Sequence, residues 1–354
     1  MANVRTRLAV LGSAAALAAA ALVPVQLAGA TPAAAASYEW VALGDSYTAG
    51  VIPAAGDTFE VPRDGCERTD QSYPQVIDRD LGSLIELTNV SCGAATIEDV
   101  TFNAQQPIGR HLPPFSEDPD YPFPPVPPQS EAAHTGTDVI TVGVGGNTLG
   151  FAEILFTCLQ LGDGSGGVGT PCRDDLADDI PGRLAKVSQD YDAMLATLHE
   201  RAPHAKIVNV GYPTVIPEDT SKCRYNDWEQ FASITAGDLD WLRDDVLGPL
   251  NATIEKRAGE RGDTFVGLAD SSRNHSVCDA GKWVEGVFTT FPAEVAFGAP
   301  QRQGPQGRFR SRGRRDPERS RYELSDLRHP QGAGYRATGR MRLPTVAPDA
   351  TAPK

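Results

Sequence analysis

The chain of 354 residues has no Cys-x-x-Cys pair and no His/Cys cluster, which argues against a structural zinc site. Its glycine-rich stretch at 162–169 is not followed by Gly-Lys-Ser or Gly-Lys-Thr, so no phosphate-cradling P-loop is encoded. No internal repeat is visible. Cations are scarce: 32 Lys and Arg stand against 46 Asp and Glu, a formal net charge of −14. That balance disfavours nucleic acid as a partner. Beyond the N-terminal region no apolar run is long enough to span a bilayer, so stable membrane insertion is not expected. No metal or other cofactor is expected.

The N-terminus is what stands out first. Arg5 and Arg7 precede an apolar stretch at 8–23, and small residues follow up to Ala33-Ala34-Ala35-Ala36. A basic start, an apolar middle and an Ala-x-Ala end describe a secretory signal peptide over 1–36. Cleavage is expected after Ala36, with 28–30 as the alternative. A membrane anchor is the competing reading, but the run is short for a spanning helix. All six cysteines (Cys66, Cys92, Cys158, Cys172, Cys223 and Cys278) come later. An even number in an exported chain suggests disulfides, and sequential pairing is the simplest arrangement. The expectation is a secreted, extracellular, monomeric protein.

Hydrophobic residues make up 40% of the chain, enough for a sizeable core. The apolar run at 40–43 reads as a buried strand that breaks at Gly44. Further strands are expected at 85–90, 138–144, 206–210 and 264–268. Between them the spacing predicts helices at 73–81, 97–103 and 181–201, and one at 231–261 kinked near Pro249. Residues 107–128 are rich in proline and are expected to form a surface loop. Strands alternating with helices call for a parallel sheet. The predicted fold is α/β: a three-layer α/β/α sandwich, flavodoxin-like, with a five-stranded parallel sheet. One domain is expected over 37–345, with a flexible tail at 346–354. Residues 300–321 form an atypical basic loop in an otherwise acidic chain, and a reading-frame error in the gene is the alternative.

Ser46, in Gly44-Asp45-Ser46-Tyr47, falls just past the carboxyl end of the first strand, where ligands bind in open α/β sheets. A serine there can attack a carbonyl while its own N–H faces the oxyanion. The competing reading is a turn with an N-cap serine. Of the six histidines (His111, His134, His199, His204, His275 and His329), His329 precedes a Pro-Gln-Gly-Ala-Gly turn and has Asp326 three residues ahead. That spacing lets a carboxylate fold back on the imidazole and free its other nitrogen to act as base. Oxyanion donors are expected from the Ser46 N–H, an N–H in the Gly93 turn and the Asn147 amide.

These blocks, Gly44-Asp45-Ser46-Tyr47, the Gly93 turn, Gly145-Gly146-Asn147 and Asp326-x-x-His329-Pro330, occur in an order that resembles the SGNH (GDSL) hydrolases. The likeness is greatest to secreted actinobacterial lipases and esterases. It implies a flavodoxin-like fold, metal-independent serine ester hydrolysis, Ser46 as nucleophile, His329 as base and three sequential disulfides. It also makes Asn274-His275-Ser276-Val277-Cys278 resemble a substrate-side loop rather than the source of the base. Three departures stand out. Thr148 replaces an Asp that often follows the third block. The second block reads Cys92-Gly93-Ala94-Ala95-Thr96 where Cys-Ser-Gly-Ala-Thr is common, so the oxyanion N–H comes from Gly93 or Ala94. The basic 300–321 segment has no family counterpart. Either Asp326 or a main-chain carbonyl orients the histidine. The expected activity is hydrolysis of lipid or small acyl esters. A carbohydrate acetyl-esterase or phospholipase is the alternative on the same site, and a secreted binding protein with a disabled site is the alternative of another class.

Overall fold

Strand β1 (Tyr38–Gly44) carries the longest buried run of the sheet, with Trp40 through Gly44 all buried. In the computed structural model, which describes residues 37–51, 62–109 and 118–286, it pairs on both sides. β2 (Ile85–Asn89), β3 (Val139–Gly143), β4 (Lys206–Val210) and β5 (Thr264–Val266) complete a sheet in the order β2-β1-β3-β4-β5. Every pairing is parallel. The expected five-stranded α/β fold is therefore present. β2 and β5 are its edges and are only half covered, whereas β3 is buried almost throughout. The chain order reverses between β1 and β3, and the carboxyl ends flanking such a reversal form a crevice.

The helices follow from their apolar spacing and their caps. α2 (Tyr73–Leu81) starts at Ser72, whose side chain accepts the Gln75 N–H, and has Pro74 in its first turn. α3 (Ile97–Thr101) is set by a capping box between Thr96 and Asp99. α7 (Ile180–Arg201) buries Val187, Tyr191, Met194, Leu195 and Leu198, one face of a helix. α3 packs on α7, α7 on α9 (Gly248–Glu260), and α9 over β4 and β5; α2 packs on β2.

The helix expected at 231–261 differs in two ways. It begins as α8 (Ala236–Trp241), capped by Thr235, and reaches α9 through a π-helical stretch, Leu242–Leu247. Pro249 lies in the first turn of α9, directly after that π-helical stretch. Two further helices, α5 (Phe151–Gly162) and α6 (Pro171–Leu176), were not evident in the sequence. The first is apolar on most sides, which blurs its periodicity.

All three sequential disulfides are formed: Cys66–Cys92, Cys158–Cys172 and Cys223–Cys278. They suit an oxidising compartment. No helix among the described residues is long and apolar enough to cross a membrane. The described residues fall within one compact unit, inside 1–303. The expected signal peptide at 1–36, His111, the basic segment 300–321, Asp326, His329 and the expected tail at 346–354 lie outside the described residues.

Candidate active site

The site is built on turns that follow β1, β2 and β3. At the end of β1, Gly44 has φ of 150°, and a Cβ there would lie 2.5 Å from the Gly143 carbonyl oxygen, so only glycine fits. The buried Gln129 amide clamps Gly44, accepting its N–H at 2.7 Å and donating to its carbonyl at 2.9 Å. The next residue, Asp45, caps the short helix α1 (Ser46–Ala49) by accepting the Tyr47 N–H at 3.0 Å. The cap is thus Asp45, not Ser46. That leaves the half-buried Ser46 at the first helical position, where its N–H has no intrahelical acceptor.

The turn after β2 is anchored by the buried Cys66–Cys92 disulfide. Within it the Gly93 N–H, one of the two oxyanion donors expected in this turn, bonds to the Cys66 carbonyl at 2.9 Å. The following residue, Ala94, has φ of 61°. A non-glycine residue in the left-handed region is strained, and such strain collects at functional sites. Among the described residues the Ala94 N–H has no hydrogen-bond acceptor.

The turn after β3 opens into α4 (Gly146–Leu149). It is fastened to the β2 turn by two side chains. The Asn147 amide donates to the Ala95 carbonyl at 2.9 Å. The Thr148 hydroxyl accepts the Ile97 N–H at 2.9 Å, filling the start of α3. Thr148 thus has a structural task of its own.

A third residue ties the turns together. Tyr212, beyond the end of β4, donates its hydroxyl proton to Asp45 Oδ2 at 2.5 Å and accepts the Gly146 N–H at 2.7 Å. Asp45 is 2% exposed. Burial pushes its carboxyl from 3.8 up to about 6, and the hydrogen bonds from Tyr212 and Tyr47 hold it from rising further. Burial, with the Asp45 charge beside them, also raises the phenols of Tyr47 and Tyr212 above their usual range.

The histidine partner predicted for Ser46 is not among these residues, because His329 and Asp326 lie outside the described range. His199 pairs with Asp263 at the end of α7. His275 stacks flat on Trp283 at 3.7 Å and meets the Gly281 carbonyl at 2.6 Å, and His134 sits near Glu39. None of these hydrogen-bonds to Ser46. No cluster of His, Cys, Asp and Glu fit for a metal occurs among the described residues. A cavity of about 520 Å³ opens beside α1, walled by Tyr47, Val76, Val210, Tyr212, Leu268 and Trp283. Ser46, Ala94 and Asn147 are not among its walls.

Gln129, Asp45 and Tyr212 did not stand out in the sequence as parts of the site. Only Asp45 carried a signal, as the residue between Gly44 and Ser46.

Comparisons with known proteins bear on the family and the fold. The GDSL-like lipase/acylhydrolase family model matches residues 42–337. "Lipase 2" of Streptomyces coelicolor is 32% identical over 255 residues, covering 70% of this chain and 76% of the relative. An "Esterase" of Streptomyces scabiei is 32% identical over 267 residues, covering 68% and 72%. The crystal structure of an extracellular lipase from Streptomyces rimosus has the same fold. Its TM-score is 0.51 at 22% identity, with 76% of this chain and 95% of that one covered. Phospholipase A1 from Streptomyces albidoflavus is alike in fold at a TM-score of 0.51 and 20% identity, covering 75% and 93%. The chain belongs to the GDSL-like lipase/acylhydrolase family and is a carboxylic ester hydrolase.

Proposed function

We propose that the protein hydrolyses carboxylic esters through an acyl-enzyme on Ser46. The observation that carries this reading is the convergence of three turns at the carboxyl edge of neighbouring strands. The Asn147 amide bonds to Ala95, and Ser46 heads the helix after the strand between them. The Ser46 oxygen attacks the ester carbonyl while His329 removes its proton. Asp326 or a main-chain carbonyl orients the imidazole. The Ser46 N–H and the second N–H of the Asn147 amide face the oxyanion. With the Gly93 N–H engaged by Cys66, the Ala94 N–H supplies the third donor. His329 then protonates the departing alcohol, and water cleaves the acyl-enzyme by the same route.

The protein is exported by a signal peptide at 1–36, and its hydrolase domain extends over 37–345. The buried disulfides support an extracellular setting. The substrate is an ester of a lipid or a small acyl group. Rates on short-chain, long-chain and acetyl-sugar esters separate this reading from a carbohydrate acetyl-esterase or phospholipase. The decisive test is Ser46→Ala: loss of p-nitrophenyl ester hydrolysis with an unchanged thermal midpoint supports the reading, and full activity overturns it.

A further inference from the structure

We propose that Tyr212 is a positioning residue for ester hydrolysis, its hydroxyl holding the turn that carries Ser46 and the turn that carries Asn147 in one fixed relation. This rests on the serine mechanism above and deepens it.

The two turns leave different strands. The ladder between β1 and β3 fixes them as far as the pair Gly44 and Gly143. Past that pair the chains diverge into α1 and α4, and the ladder no longer sets their separation. Three ties remain close by: the Thr48 hydroxyl of α1 donates to the Gly143 carbonyl at 3.3 Å, and the other two involve Asp45. The Asp45 N–H donates to the Gly143 carbonyl at 3.0 Å, and the Tyr212 hydroxyl bridges Asp45 and Gly146. A hydroxyl has one proton to give and lone pairs to receive with. Here the proton goes to the Asp45 carboxylate, and a lone pair takes the Gly146 N–H. Asp45 immediately precedes Ser46, and Gly146 immediately precedes Asn147. The hydroxyl is thus one residue away from the nucleophile on one side and one residue away from the oxyanion amide on the other.

Tyr212 is itself held. The Asn251 amide clamps its backbone, accepting the Tyr212 N–H at 2.8 Å and donating to its carbonyl at 3.0 Å. Tyr47 packs edge-on against its ring at 5.3 Å. Gly211 lets the chain pass close to Phe265, since a Cβ there would lie 2.8 Å from that ring. The Tyr212 hydroxyl spends both its donor and its acceptor capacity on two separate turns. Misplacing reacting groups by about 1 Å costs roughly 100-fold in rate, so a tie of this kind acts on kcat.

The test compares the mature protein with Tyr212→Phe, Asp45→Asn, their combination and Ser46→Ala on p-nitrophenyl butyrate, with a thermal midpoint for each. Tyr212→Phe keeps the ring and its packing. We expect kcat to fall roughly 10- to 100-fold with KM within about twofold. We expect the double variant to lie close to the worse single variant, because both act through one bridge. Should Tyr212→Phe fail to fold, Asp45→Asn carries the same expectation. A kcat within about twofold of the parent in the folded variant overturns the inference, as does a loss that appears only in KM or adds fully in the double variant. If Ser46→Ala is dead while Tyr212→Phe is fully active, this inference alone fails. If Ser46→Ala stays active, the underlying mechanism fails.

Discussion

The Asn147 side-chain amide donates to the Ala95 carbonyl oxygen at 2.9 Å, joining the turn after β3 to the turn after β2. Asn147 therefore shares with Thr148 the task of tying these two turns, and its amide keeps a second N–H to offer. Both functions depend on the amide.

Asn147→Ala removes both at once. Loss of a single oxyanion donor costs about 100- to 1,000-fold in kcat. We expect a fall of that order in steady-state hydrolysis of p-nitrophenyl butyrate, with the thermal midpoint moved by only a few degrees, since one hydrogen bond is worth about 1 kcal/mol. A kcat within tenfold of the parent would remove Asn147 from the oxyanion site.

Ala94 offers a test of the second turn. Its φ of 61° places an L-residue in the left-handed region, at a cost of about 1–2 kcal/mol. Ala94→Gly releases that strain and loses some of it again to the freer unfolded chain, about 0.4–1 kcal/mol. We expect stability equal to or slightly above the parent, with hydrolysis retained because the N–H stays in place. Ala94→Val, β-branched at the same φ, should be clearly less stable in urea denaturation.

Much of this site can be read from the sequence because its signals are local. Gly44-Asp45-Ser46 and Gly145-Gly146-Asn147 each end a short apolar strand, and strand, turn and helix start lie within about ten residues of one another. The sheet is legible for the same reason. The bracing is not. Tyr212 lies 167 residues from Asp45, and Gln129 lies 85 residues from Gly44. No local pattern marks a side chain that acts at such separations. The Gly93 N–H shows the same limit: its acceptor, the Cys66 carbonyl, is brought there by a disulfide spanning 26 residues. In α5 the difficulty is composition, for its run of apolar residues carries little helical contrast.

The buried Asp45 carboxyl gives a pH signature. Its value is raised from 3.8 to about 6 by burial. Between those values the folded protein binds the proton more tightly than the unfolded chain, so stability falls as pH rises through that window and levels off above it. The full effect is about 3 kcal/mol. Asp45→Asn does not titrate, so its contribution is the same at every pH. We expect the difference in unfolding free energy between Asp45→Asn and the parent to shift in favour of the variant from pH 4 to pH 6 and then hold steady. A difference independent of pH would show that Asp45 titrates at its ordinary value.

The proposed mechanism stands on Ser46 as the nucleophile. The most direct measurement is labelling of the mature protein with a fluorophosphonate, followed by mass analysis of its peptides. We expect one adduct per chain, on Ser46, with loss of esterase activity in step with labelling and no adduct in Ser46→Ala. An adduct on another serine, or ester hydrolysis that persists in a fully labelled protein, would contradict it.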